Sequence, residues 1–316
     1  MNIDRLRRVA ALATIALLAS GCVELLNAPA GGGSVTTGVY KIGPISLAAM
    51  GQPGSESNSS AARVPRPPGA IGIKSMHFDL VDAVGEPIAR DMLHLHHVLL
   101  TNPSRPDVLC PGRAERFAGA GAERTPLDLP DPYAYLVGAG DNWNALWHVM
   151  NQSMSAMTVF IQYTVEYQTG ANATNTRNVT PYFADVTGCG GSTFGVPGNG
   201  GAGSVYTKAR TWSAPNDGIM VYTGGHLHEG GIDLTLHDDT FGGECVMKAH
   251  YDMAMAPAPA DAMGMMNPPT SIDPCPAHTL VVKGLPYTLT AHYDNSKPRM
   301  DVMGIALAYV WHGRQS

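Results

Sequence analysis

Apolar positions along this chain gather in short runs that alternate with polar residues or stay apolar briefly, and none keeps a 3.6-residue period for long. Period-two alternation places successive side chains on opposite faces of a strand. Strands are predicted on this basis at 37–48, 71–81, 91–100, 133–137, 158–167 and 182–186. A second set follows at 205–212, 219–228, 232–237, 245–251, 278–282, 287–293 and 302–311. With 36 glycines and 24 prolines punctuating these runs, the pattern predicts an all-β chain of two antiparallel β-sandwich, jelly-roll-like domains rather than a helical or α/β fold.

Composition sets the organisation around those strands. Residues 51–69 are rich in Ser, Pro and Gly and read as a loop, and the glycine-rich stretch 188–203 is the natural break between halves. The expected layout is a leader at 1–21, a tether at 22–36, an N-terminal sandwich at 37–190, a linker at 191–203 and a C-terminal sandwich at 204–316. The leader has Arg5, Arg7 and Arg8 before an apolar run from Val9 to Leu18, then Ala19-Ser20-Gly21-Cys22, a sequence like a bacterial lipobox. Cys22 is therefore the expected lipidation site, and the cell envelope, facing periplasm or exterior, the expected location. The net charge of −6 argues against a nucleic-acid partner, whose binders carry basic patches.

Cys110, Cys189, Cys245 and Cys275 remain after Cys22, an even number that in an oxidising compartment predicts two disulfides. Three pairings are possible. Cys110–Cys189 with Cys245–Cys275 is preferred because each bridge then stays within one half. Met253, Met255, Met263, Met265 and Met266 crowd a segment of alanines and prolines that cannot be a regular strand. It reads either as a low-complexity connection or as a thioether patch passing Cu(I) onward.

The chemistry-bearing residues are histidines. His226-Leu227-His228 sits in an apolar run, and strand alternation points its two imidazoles the same way, ~7 Å apart at the backbone. His94-Leu95-His96-His97 forms a second group, and Met303 opens the last strand. Imidazole with thioether is a soft donor set that suits copper, Cu(I) above all. The remaining histidines, His77, His148, His237, His250, His278, His292 and His312, default to structural or surface roles.

These stretches resemble the copper type II ascorbate-dependent monooxygenases, the family of peptidylglycine α-hydroxylating monooxygenase and dopamine β-monooxygenase. That family carries a His-His pair in its first domain, matched by His96-His97-Val98-Leu99-Leu100, and His-x-His with a distant Met in its second, matched by His226, His228 and Met303. The resemblance implies two coppers per chain, one in each domain with a cleft between. The second copper would activate O2 and the first would store an electron. The implied activity is hydroxylation of a C–H bond of a small organic substrate, using an external reductant such as ascorbate. The family's third histidine at the first copper lies in a Val-His-Tyr context, where this chain has Val165-Glu166-Tyr167. His94, Glu166 and His148 are all candidates for that ligand.

Peptide-processing members grip a terminal carboxylate with Arg, Asn and Tyr, at positions that here hold Gly224, Ile305 and Leu307. Those three residues offer a carboxylate no partner, which argues against a glycine-extended peptide as substrate. Two other readings stay open: a non-catalytic copper-binding or copper-delivering lipoprotein, and an anchored adhesive sandwich with incidental histidines.

Overall fold

The structure, a computed structural model, describes residues 34–170, 175–252, 267–275 and 279–313. The leader with Cys22, most of the tether, the methionine-rich segment and His278 lie outside them. Every named element among the described residues is a strand, and no helix there is long and apolar enough to cross a membrane.

The first nine strands make up the N-terminal half. They are β1 (Thr36–Leu47), β2 (Glu56–Ala61), β3 (Ile71–Val81), β4 (Leu93–Pro106) and β5 (Ala114–Ala120). After these come β6 (Leu127–Asp128), β7 (Tyr133–Val137), β8 (Asn144–Asn151) and β9 (Met157–Thr169). The rest begin with β10 (Arg177–Asp185), β11 (Phe194–Val196), β12 (Val205–Ser213), β13 (Gly218–Leu227), β14 (Gly231–Asp238) and β15 (Glu244–His250). The chain finishes with β16 (Ser271–Ile272), β17 (Thr279–Val281), β18 (Pro286–Asp294), β19 (Arg299–Val302) and β20 (Gly304–Trp311).

A four-stranded sheet, β2-β8-β4-β5, and the β1-β9-β3 part of a nine-stranded sheet contribute to one buried apolar cluster. Its members alternate along their strands as period two requires, such as Ile161, Tyr163 and Val165 on β9 and Ala145, Trp147 and Val149 on β8. A second cluster, with Leu234, Met247, Leu289 and Ala306, involves the five-stranded sheet β12-β18-β14-β15-β16 and the β10-β20-β13-β17 stretch of the long sheet. The all-β expectation holds.

Strands of both halves share the one long sheet. β10 falls inside 37–190, yet it pairs with β20 along seven residues, Val179↔Trp311 to Asp185↔Ile305, and touches β7 at only two parallel positions. β10 thus sits mid-sheet between β7 and β20, ahead of the glycine-rich stretch. That stretch, 191–203, itself contributes β11, which pairs with β19. Glycine density marks where a chain can turn, whereas partner choice depends on which apolar face is complementary, and composition does not record that.

Both expected disulfides form, Cys110–Cys189 and Cys245–Cys275. Because Cys189 follows β10, the first bridge ties the β4–β5 connection to the segment after that strand. Further contacts join the two halves. Tyr309 Oη donates to the Phe117 carbonyl at 2.7 Å, and Arg90 donates to that of Thr270 at 3.0 Å.

Candidate metal centre

Strand β4 brings two adjacent histidines to one face by breaking its own alternation. Leu93 and Leu95 point into the core, but beyond His97 the buried core positions are Val98 and Leu100, so the inward phase changes from odd to even. The pairing of β4 with β8 shows the cause, a register shift between Leu95↔Val149 and His97↔His148. Such a bulge sets an extra residue in one strand and re-aims its side chains. Here it turns His96 and His97 away from the core together, and their Nδ1 atoms approach to 3.2 Å.

Across the ladder, His148 completes a group. The ligand atoms of His96, His97 and His148 all lie within 4.8 Å of one another. Nitrogens bound at about 2.0–2.1 Å to one ion lie roughly 3–4 Å apart, so the group fits a metal. His148 is steadied from outside by Glu56, with Nε2 2.8 Å from the carboxylate.

Of the other two tentative ligands for this group, His94 is buried with its ring edge-on to that of His96 at 5.6 Å. Glu166 is displaced altogether. Val165 and Tyr167 are core residues, so alternation turns Glu166 outward on β9, where it is exposed and pairs with Thr37 and Ser75 in the opposite sheet. The Val-x-Tyr context matched, but the side chain between them faces solvent.

His226 and His228 flank Leu227, which is buried in the C-terminal core, so both imidazoles leave the opposite face of the chain. Each ring has its Nδ1 engaged. His226 Nδ1 lies 3.1 Å from both oxygens of Glu123, and His228 Nδ1 lies 2.8 Å from the Asp301 carbonyl. A carboxylate and a carbonyl accept, so the proton of each ring sits on Nδ1 and the Nε2 lone pair is free. Both Nε2 atoms are buried without a hydrogen-bond partner. Buried polar atoms are rarely left so, and a ring fixed through Nδ1 with Nε2 open is the usual arrangement of a metal-binding histidine. The two open nitrogens thus fit a metal ion, and imidazole donors suit copper among others.

The backbone supports that arrangement. Asp301 has φ 54°, a left-handed conformation that Asp tolerates better than most residues, at the point where the chain turns toward Met303. Tyr293 Oη accepts from the His228 N–H at 2.9 Å and donates to the Met303 carbonyl, tying the two segments together.

The two imidazole groups adjoin. The ring centroids of His96 and His228 are 4.1 Å apart, with His148 4.5 Å from His96 and His226 5.0 Å from His228. Burial, and secondarily the neighbouring imidazoles, push His94 down to about 3, His96 to about 2 and His97 to about 3, and hold His228 well below the usual histidine range. These rings are neutral at pH 7, the form that binds a metal.

Met303 is 8% exposed and packs with Phe183 and Ile305. It lines a cavity of about 110 Å³ at the junction of the halves, whose wall includes both His97 and His226. Gly224, Ile305 and Leu307 line the same cavity. Glu123 belongs to no local motif, because it lies in the β5–β6 connection, 103 residues from the ring it orients.

Glu123 also accepts the Gly121 N–H at 2.8 Å. A Cβ on Gly121 would sit 2.3 Å from His226 Cε1 and 2.7 Å from a Glu123 oxygen, so the ring would have to move. Losing an outer partner of a metal-bound histidine weakens metal binding about 10–100-fold. Glu123→Ala is expected near the top of that range and Glu123→Gln near the bottom. Gly121→Ala should match them without changing any polar group. Competition titrations with copper check this, and unaltered affinity in Glu123→Ala and Gly121→Ala would remove Glu123 from the centre.

No protein-family model matches the chain. It is similar to a protein of Cochliobolus lunatus named as a probable copper-dependent oxygenase, 28% identical over 243 residues, covering 71% of this chain and 74% of that protein. A Phoma sp. protein of the same description is 28% identical over 250 residues, covering 71% of this chain. The chain spans 59% of that second relative's length. Among solved structures, the STIV MCP covers 88% of this chain and 97% of its own at 8% identity and a TM-score of 0.35, too distant to bear on function.

Proposed function

We propose that this chain is an exported, lipid-anchored copper-dependent monooxygenase that hydroxylates a C–H bond of a small organic substrate with O2 and an external reductant such as ascorbate. The observation that carries the reading is the pair of buried, unpartnered Nε2 atoms on His226 and His228, beside a cavity that also exposes His97 and Met303. The naming of both fungal relatives as probable copper-dependent oxygenases supports the same class of activity.

His226, His228 and Met303 would hold one copper, and His96, His97 and His148 a second. Copper bound at these residues would supply the redox chemistry, O2 activation at the His226–His228–Met303 group and storage of the other electron at the His96–His97–His148 group. The protein's own part is positional. Glu123 and the Asp301 carbonyl keep the Nδ1 protons in place, so each ring meets the metal in one tautomer and one orientation. Apolar walls around the cavity hold a C–H donor against the centre and limit water there.

The test is metal content together with oxygen uptake. Purified protein loaded with copper should hold two ions per chain and consume O2 with ascorbate only when an apolar C–H donor is present. Copper binding without any donor-dependent uptake would replace this reading with the non-catalytic copper-binding one, and absence of copper binding would defeat both.

A further inference from the structure

We infer that the cavity beside His97, His226 and Met303 is a binding site for an uncharged, apolar group of about one ring's bulk, and that Gly224 keeps it open. Calling the occupant a substrate rests on the oxygenase reading; the binding itself does not.

Size comes first. The cavity measures about 110 Å³, somewhat below the ~150 Å³ of an apolar cavity that stays dry and binds benzene. It is partly open to solvent, so a ring or branched alkyl end can enter while the rest of a larger molecule stays outside.

Chemistry narrows the class. Leu99, Leu146, Phe183, Ile305 and Leu307 supply much of the wall, and among the described residues no Lys or Arg lines it. The Tyr222 and Tyr309 hydroxyls there are spent on the carbonyls of Pro126 and Phe117. Glu123, the carboxylate of the wall, is taken up by Gly121 and His226. In the metal-free chain an anionic ligand would enter without a counter-charge and beside that carboxylate, so both desolvation and repulsion oppose it.

Gly224 faces this space on β13, opposite Leu307 of β20. A Cβ built there meets Tyr222 at 3.5 Å and Thr125 at 3.7 Å, ordinary contacts with two other cavity residues. Side chains can therefore be added without forcing the backbone, and they grow into the space a ligand would use. Leu307 offers the opposite change, since its truncation widens the same cavity.

The experiment titrates toluene and benzoate into the copper-free full chain, where no metal can hold a carboxylate, by calorimetry or ligand-observed NMR. Toluene should bind saturably and benzoate at least about tenfold more weakly. Gly224→Leu should weaken toluene by about tenfold or more while copper affinity stays unchanged, and Leu307→Ala should shift preference toward naphthalene. Gly224→Ala, a smaller step, should weaken toluene two- to threefold by roughly the same logic and serves if the leucine variant fails to fold. Benzoate binding as well as toluene, no toluene binding to the wild type, or indifference to both Gly224 variants would overturn the inference. If toluene binds as expected but the copper-loaded protein takes up no O2 with any donor, the cavity assignment stands and the oxygenase reading fails.

Discussion

His226→Ala and His228→Ala are each expected to empty the metal group of the C-terminal half, leaving one copper per chain and no donor-dependent oxygen uptake. Removing an outer partner of a metal ligand costs about 10–100-fold in affinity, so removing the ligand itself should exceed that. Both variants should still fold when metal-free. Loss of His228 leaves the Asp301 carbonyl without its donor, a cost of about 1–3 kcal/mol. It also deletes a buried, unpartnered nitrogen, which acts in the other direction.

The difference between wild type and variant should therefore appear in the metal-dependent increment. A site saturated at 100 times its Kd adds about 2.7 kcal/mol to stability. Copper should raise the melting temperature of the wild type by that linkage and raise those of the variants by less. Met303→Leu keeps the volume, and such swaps usually cost less than about 1.5 kcal/mol. Only the soft donor is lost, so Cu(I) should weaken relative to Cu(II). Unchanged copper stoichiometry and redox behaviour across all three variants would sink the assignment.

How far the centre was legible in the sequence depends on whether each element is local. His226 and His228 needed only alternation, because Leu227 between them is an ordinary core residue. Strand β3 matched its predicted span, 71–81, since its apolar run is bounded on both sides by turn residues. The even cysteine count predicts two bridges, and keeping each within one half selects the pairing that forms. Strand β8 lies outside the predicted strands, although Ala145, Trp147, Val149 and Asn151 alternate inward. Its ends are asparagines and its outer face mixes Leu146, His148 and Met150, which blurs the polar half of the pattern. β2, with the sequence ESNSSA, has almost no apolar signal and is held by pairing with β8. It falls inside the predicted 51–69 loop.

What eluded the sequence was long-range partnership. Glu166 had the right neighbours in sequence, but β9 turns it outward. Glu123 and Gly121 had no motif, and their role exists only because the two halves pack with the β5–β6 connection against β13. The close approach of His96 and His228 is likewise a property of the packing, and the implied arrangement of two domains with a cleft between them gave no hint that the imidazole groups would adjoin.

His148→Ala is expected to remove the metal of the N-terminal group, while His94→Ala should leave it in place. The contrast follows from geometry. His148 stands directly across the ladder from His97, and its ligand atom shares the 4.8 Å grouping with those of His96 and His97. His94 is two residues before His96 on the same strand and outside that grouping, with its ring set edge-on at 5.6 Å. Two imidazoles leave an ion short of donors, so affinity in the His148 variant should fall by more than the roughly 100-fold upper end of an outer-partner loss. Glu56→Gln, which disturbs only the support behind His148, should fall within about 10–100-fold. Glu166→His should change nothing, since its side chain faces solvent on the opposite sheet. Copper stoichiometry, measured with the His226–His228 group intact, separates these cases: two ions for wild type, His94→Ala and Glu166→His, and one for His148→Ala. If His94→Ala loses the ion and His148→Ala keeps it, the group must rearrange when metal binds, with His94 turning in to replace His148.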